Sequence, residues 1–180
     1  MKKLTNTIII ISILLLVYYV YIHINPLDIE KILQGLIGFI LLLIPIIYEK
    51  FKHMQIEKYI KLIYYFFLLI AGILGILFQL YYSTTYFDLF VHGLFGFLLS
   101  IILGSKMKIN FFKDIITILS VVIFIGFIWE CLEFFSDVLL KTDHQEKISG
   151  AGDTMTDLLI SFLGSTIYIV YNKIMNKTKT

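Results

Sequence analysis

The chain has 180 residues, of which 59% are hydrophobic and 16% charged, and its mean hydropathy is +0.90. Soluble domains are about half apolar, so this composition excludes an ordinary water-soluble domain and predicts an integral membrane protein. The net charge of +2 leaves no basic stripe for nucleic acid, and the single cysteine, Cys131, excludes an intrachain disulfide and a multi-cysteine metal site.

Apolar runs long enough to cross a bilayer follow one another along the chain. A spanning helix needs about 20 mostly apolar residues, and six runs near that length are bounded by charged or turn residues. They are predicted at residues 4–24, 32–48, 59–80, 86–104, 111–136 and 153–171. We therefore predict an all-α fold, a polytopic helical bundle that forms a single integral membrane domain over residues 1–180.

The lysines predict how these spans are oriented. If six spans alternate, twelve of the fifteen lysines fall on the same side as both termini, and Lys31, Lys141 and Lys147 fall on the other. The positive-inside rule places both termini in the cytoplasm. The first run lacks a small-x-small cleavage site, so we expect it to remain as an anchor. Lysine without arginine, with abundant Ile, Leu, Phe and Tyr, suits an AT-rich bacterial genome and predicts a bacterial plasma membrane.

Acids and a histidine interrupt three of the predicted spans. They are Asp88 and His92 in FDLFVHG of the fourth span, Glu130 and Glu133 in WECLE of the fifth, and Asp153 and Asp157 in GAGDTMTD of the sixth. Spacings of three and four residues place each pair on one helix face. At 1.5 Å per residue, His92, Glu130 and Asp157 lie roughly 6–9 Å inside the outer boundary. Because a charge in the bilayer is costly, we expect these groups to face one another.

Part of this set has a plainer interpretation. Asp88 and Asp153 suit the first turn of a helix, where an acid favours the free N–H groups. A His92–Asp88 pair is also typical of a packed structural contact. Glu130 and Glu133 fit this interpretation least, because their spacing makes like charges adjacent at an unfavourable depth. The close spacing of Gly93 and Gly96 predicts tight helix packing.

At these residues the sequence resembles the YjdF-type family of predicted bacterial membrane proteins. FDLFVHGLFGFLL is similar to that family's Asp-x-x-x-His-x-x-x-Gly helix, WECLEF to its paired-glutamate helix, and GAGDTMTDLLISFLG to its Gly-Asp-x-x-x-Asp helix ending in Gly. The resemblance covers roughly Tyr86 to Ile167, and it implies no settled biochemical activity. The residues that stand at the positions of the family's motifs are Asp88, His92, Gly96, Glu130, Glu133, Gly152, Asp153, Asp157 and Gly164.

A more distant similarity is to VanZ-like proteins, which are associated with teicoplanin resistance. Those proteins carry an acid and a histidine on one helix, and a Glu-x-x-Gln followed by a segment with Arg and Asp. In this chain Leu89 stands where VanZ-like proteins have a lysine, Glu133 where they have a glutamine, and Ser161 where they have an asparagine. The chain also has no arginine. These departures argue against a glycopeptide-resistance role.

Three functions are open from the sequence. The first is a metal-dependent enzyme near the outer leaflet that acts on a lipid or a lipid-linked cell-envelope substrate. Its candidate catalytic residues and ligands for Zn, Mn, Fe or Mg are His92, Glu130, Glu133 and Asp157, with Asp88 and Asp153 in support. The second is a cation or proton-coupled transporter, and the third is a non-catalytic membrane partner with a polar packing layer.

Overall fold

The computed structural model describes residues 2–53, 55–84, 86–107, 109, 112–140 and 150–177. All regular elements of these residues are helical. They are α1 (Lys2–Ile24), α2 (Ile29–Lys52), α3 (Lys58–Phe67), a π-helical segment (Leu68–Leu74), α4 (Gly75–Leu77), α5 (Leu80–Ser83), α6 (Phe87–Lys106), α7 (Phe112–Leu140) and α8 (Gly150–Lys177). Six helical stretches of the described chain are long and apolar enough to cross a membrane, which confirms the predicted fold class.

The observed helices differ from the predicted spans mainly at their ends. The third predicted span, residues 59–80, is not one continuous α-helix, because it passes through the π-helical segment and its apolar part ends at Leu77. Gln79 follows with a φ of 52°, a left-handed conformation that interrupts the helix. Phe111, the predicted start of the fifth span, lies outside the described residues, as do Lys141 and Lys147.

The chain divides into two compact units, Met1–Thr85 and Tyr86–Thr180. In the first unit, α1 packs on α2, α3 and the π-helical segment. Its buried core contains Ile8, Leu16, Leu42, Tyr65, Leu68 and Ile73. Asp28 caps α2 by accepting a hydrogen bond from the Lys31 backbone N–H at 3.2 Å, and this bond lowers the pKa of the Asp28 carboxyl.

A tyrosine of α3 compensates for a proline in α2, and its neighbour donates to the next carbonyl. Pro45 has no N–H, so the carbonyl four residues earlier, that of Leu41, loses its helical partner. The Tyr64 hydroxyl donates to that carbonyl at 2.7 Å, and the Tyr65 hydroxyl donates to the Leu42 carbonyl at 3.3 Å. In a membrane, where water cannot take this role, such bonds allow a proline inside a helix.

The second unit is built around a close crossing of α6 and α8. A Cβ added to Gly96 would collide with the Ser161 carbonyl, and one added to Gly164 would collide with the Gly93 carbonyl. Glycine is therefore required at both positions for the two backbones to approach this closely. The expected tight packing at Gly93 and Gly96 is confirmed. The Ser100 hydroxyl lies 2.6 Å from that of Ser165, which adds a hydrogen bond between the same two helices.

Apolar packing in the second unit is concentrated where α6 ends and α7 begins. Buried residues of this cluster are Ile109, Ile118, Val122, Tyr168 and Ile169. α7 also packs on α8, where a Cβ added to Gly126 would lie 3.2 Å from the Leu158 side chain. The opposite ends of the three helices carry Asp88, His92, Glu130 and Asp157.

Candidate functional site

His92 lies in the second turn of α6 and is buried. Its Nε2 atom is 3.6 Å from Oδ1 of Asp88, one turn earlier on the same helix. The i,i+4 spacing places both side chains on one face of α6, as the sequence predicts. Asp88 retains 30% of its side-chain exposure, so it connects the buried imidazole with the surface of the unit.

Asp157 faces His92 from the neighbouring helix α8. Its side chain is 0% exposed, and its Oδ2 atom lies 4.0 Å from His92 Nε2. Neither oxygen of this carboxyl accepts a hydrogen bond within the described part of the chain. A carboxylate removed from water and from hydrogen-bond donors is costly, so the position calls for a cation or a proton.

Glu130 brings a third carboxyl group from α7. Its side chain is 2% exposed, and its Oε1 atom lies 3.8 Å from the same His92 Nε2 atom. The three helices of the unit therefore place three carboxyl groups within 4.0 Å of one imidazole nitrogen. This arrangement brings together Asp88, His92, Glu130 and Asp157, all of which the sequence selects.

The distances at this point fit a shared cation better than direct hydrogen bonds. Hydrogen bonds from N–H to oxygen rarely exceed about 3.2 Å, and the three distances to His92 Nε2 are 3.6, 3.8 and 4.0 Å. Ligands at about 2.0–2.2 Å from one tetrahedral or octahedral ion lie about 2.8–3.6 Å apart. One ligand atom each of Asp88, His92 and Asp157 lies within 4.8 Å of the others. Small side-chain rotations would close these atoms around an ion.

The donor set also indicates which ions would suit. Oxygen ligands with a single imidazole match Zn, Mn, Fe or Mg, and the sequence predicts the same group of metals. A structural zinc site of several thiolates or histidines is a different donor set. Among the described residues, Asp88, His92 and Asp157 thus form a group that fits a divalent cation, and Glu130 lies 3.8 Å from the same His92 nitrogen.

Glu133 and Asp153, two further residues selected from the sequence, lie around the group. Glu133 is half-buried, and it accepts a hydrogen bond of 2.6 Å from Nε1 of Trp129. It also interacts electrostatically with Glu130, Asp88 and Asp157. Asp153, one turn before Asp157 on α8, interacts electrostatically with His92 and Asp157.

One residue of the site was not selected from the sequence as a candidate. Ser161 is fully buried on α8, one turn after Asp157. Its hydroxyl donates to the His92 carbonyl at 3.2 Å and lies 3.5 Å from His92 Nδ1. Serine is common in membrane helices; the signals that could have pointed to Ser161 are its i,i+4 spacing from Asp157 and its place at an asparagine position of VanZ-like proteins.

Comparison with known proteins agrees with the pattern of these residues. A family model described as predicted membrane protein, DUF2238, matches residues 7–178. This is the YjdF-type family, so the resemblance is confirmed, and the match also covers the first half of the chain. Neither the curated proteins nor the solved structures gave a match. The chain therefore belongs to the DUF2238 family of predicted membrane proteins.

Proposed function

We propose that this protein holds a divalent cation within the membrane and uses it near the outer leaflet on a lipid or a lipid-linked cell-envelope substrate. The observation that carries the proposal is the fully buried Asp157, whose oxygens accept no hydrogen bond from the described residues and which faces His92. The proposed ligands are His92, Asp157, Glu130 and Asp88.

Charge supports a cation over a purely structural polar layer. Three carboxyl groups meet one imidazole nitrogen, and two of them, those of Asp157 and Glu130, are almost completely buried. Protonation of one carboxyl would remove a single charge and leave the others facing each other. A divalent cation would compensate two charges at once and would satisfy oxygen lone pairs of every ligand.

The residues around the group suit a reaction more than a closed storage site. A bound divalent cation acts as a Lewis acid and acidifies a water molecule, which is the chemistry of many hydrolases. Asp88, the most exposed of the four ligands, lies on the side from which a substrate would approach. Glu133 interacts electrostatically with three of the proposed ligands, and its carboxyl would accept or return a proton.

A lipid substrate fits the apolar surface of the three helices. Each helix exposes a large apolar residue at the depth of a proposed ligand but on a different face: Phe90 on α6, Trp129 on α7 and Leu159 on α8. These side chains are about half exposed, as expected for residues that face acyl chains. A molecule that already lies in the bilayer would therefore meet these helices at the depth of the ligands without first leaving the lipid.

Metal analysis of the detergent-purified protein tests the proposal. After loading with Mn²⁺ or Zn²⁺ and removal of the excess, we expect about one ion per chain in the wild type. His92→Gln should lower the affinity at least tenfold, because it removes the only nitrogen ligand. His23→Gln is the matched control, since His23 lies near the end of α1 and contacts Tyr19 and Asp28. A wild type without stoichiometric metal after reloading would refute the proposal.

The proposed reaction on a lipid substrate is tested by a separate measurement. Metal-loaded wild type and His23→Gln should both convert a component of a bacterial membrane lipid extract, as seen by mass spectrometry, and His92→Gln should not. If the wild type binds one ion but leaves the whole extract unchanged, the metal site stands and the assigned lipid chemistry is wrong.

A further inference from the structure

The connection between α2 and α3 forms a hairpin tip at one end of the first unit. Glu49 on α2 joins the two helices there, because its carboxyl lies 2.8 Å from the Lys61 ammonium on α3 and accepts a hydrogen bond of 2.7 Å from the Ile56 backbone N–H. Lys52 on α2 and Lys58 on α3 each lie one turn from this ion pair, toward the tip. The ion pair therefore fixes two further lysines at the same end of the unit.

The N-terminal end of α1 lies at this end of the unit as well. α1 and α2 are antiparallel, because a Cβ added at Gly35 would meet Val20 and one added at Gly38 would meet Leu16. Continued for about three further turns, this register brings the start of α1 to the level of the last turn of α2. Lys3, which is exposed in the first turn of α1, therefore adds positive charge at the same level.

The lysines of the hairpin tip are available to a negatively charged partner. Lys50, Lys52 and Lys58 are exposed, and none of them forms an ion pair with an acid of the described residues. Glu57 is the acid that remains beside them, so positive charge is in excess. Phe51, between two of these lysines, is 78% exposed. A basic surface that also exposes an aromatic ring suits the boundary between lipid headgroups and acyl chains.

We propose that the hairpin tip is a binding site for an anionic phospholipid. Lys50, Lys52 and Lys58 supply the charge that meets the headgroup phosphate, and Phe51 supplies the apolar contact with the adjoining chains. The apolar stretch of α2 ends at Lys52, so these side chains lie at the height of the headgroups. The positive-inside rule accounts for lysines on this side of the membrane in general, but it does not account for an exposed ring between two of them. A soluble anion would gain nothing from that ring, which favours a lipid.

Native mass spectrometry of the full chain in detergent tests the site, with phosphatidylglycerol as the anionic lipid and phosphatidylcholine as the neutral one. The wild type should bind phosphatidylglycerol at least about tenfold more tightly than phosphatidylcholine. The triple variant Lys50→Gln/Lys52→Gln/Lys58→Gln should lose at least about tenfold in affinity for phosphatidylglycerol, because each lysine contributes to the attraction. Phe51→Ala should lose about threefold, because it removes apolar contact area.

The matched control removes the same charge elsewhere on the same predicted side of the membrane. Lys113→Gln/Lys173→Gln/Lys177→Gln lies in the second unit and should change the affinity by less than about twofold. Equal losses in the two triple variants would show that total charge attracts the lipid, and would overturn the proposal. Displacement of phosphatidylglycerol by about 10 mM inorganic phosphate, but not by sodium chloride of the same ionic strength, would show a site for a soluble anion and would overturn it as well.

Discussion

Asp157 is the side chain whose surroundings are hardest to explain without a ligand. It is fully buried in a predicted membrane span, and neither of its oxygens accepts a hydrogen bond from the described residues. Folding a carboxylate into such a position reduces stability unless another charge compensates it. The same carboxyl should therefore destabilise the metal-free protein and stabilise the metal-bound one.

Substitution of Asp157 by the isosteric asparagine tests both effects. In a chelator, Asp157→Asn should raise the unfolding temperature by about 2–6 °C, because it removes one of several like charges. At a metal concentration of about 100 times Kd, the wild type should gain about 2.7 kcal/mol, and the variant should gain little. Thermal unfolding in detergent, with chelator or with Mn²⁺, measures both. A variant that is less stable in chelator, or that responds to metal like the wild type, would contradict the assigned role.

The spacing of polar residues along single helices predicted the members of this site. It could not predict contacts between helices. The four-residue interval from Asp88 to His92 correctly places both groups on one face. Glu133 follows Glu130 by three residues, which turns it about 60° around the helix axis, and the structure places it against Trp129. Ser161 on α8 contacts His92 on α6, and a sequence pattern along one helix does not show such a contact.

The crossing of α6 and α8 explains why the polar groups can approach so closely. Glycines at 96 and 164 allow backbone contact, and the Ser100–Ser165 hydrogen bond lies in the same interface. Membrane helices have no hydrophobic driving force toward one another, so close packing and such bonds have to hold them together. This interface supports the opposed carboxyl and imidazole groups one to two turns away.

A proline–tyrosine pair in the first unit gives an independent test of the packing. Tyr64→Phe should destabilise the protein by about 1–2 kcal/mol, because the Leu41 carbonyl loses a buried hydrogen bond of 2.7 Å. In a Pro45→Ala background the helix regains an N–H for the Leu41 carbonyl. Tyr64→Phe should then lower the free energy of unfolding by less than half as much as in the wild type. The double-mutant cycle is measured by reversible unfolding in detergent.

Tyr65→Phe is the control for that cycle. Tyr65 donates to the Leu42 carbonyl over a longer distance, 3.3 Å, and the residue four positions after Leu42 is Ile46, which has an N–H. The effect of Tyr65→Phe on the free energy of unfolding should therefore not depend on Pro45. Equal costs of Tyr64→Phe in both backgrounds would show that the hydroxyl does not replace the bond that proline removes.

Hydropathy predicted that six helices exist, because a bilayer requires long apolar segments. It did not predict the π-helical segment at Leu68–Leu74, which depends on a local change of hydrogen-bond pattern. The Tyr81 hydroxyl donates to the Ala71 carbonyl within that segment at 2.8 Å. Such a contact satisfies one carbonyl of the widened turn, and average hydropathy contains no information about it.

The direction in which the chain crosses the membrane decides which leaflet the site serves. His92 and Asp157 lie in the first turns of α6 and α8, and Glu130 lies in the later part of α7. These three positions lie on the same side if the helices alternate. The excess of lysines on the side of the termini predicts that this is the outer side.

Fusions to alkaline phosphatase, which is active only outside the cytoplasm, test this orientation. A fusion after Thr142, between the fifth and sixth spans, should be active, and a fusion after Thr180 should be inactive, because the positive-inside rule predicts that the side with twelve lysines is cytoplasmic. A cytoplasmically active reporter at the same two positions should give the opposite result. The reverse outcome would place the carboxyl groups and His92 in the cytoplasmic half of the bilayer, where lipids of the inner leaflet would be the substrates.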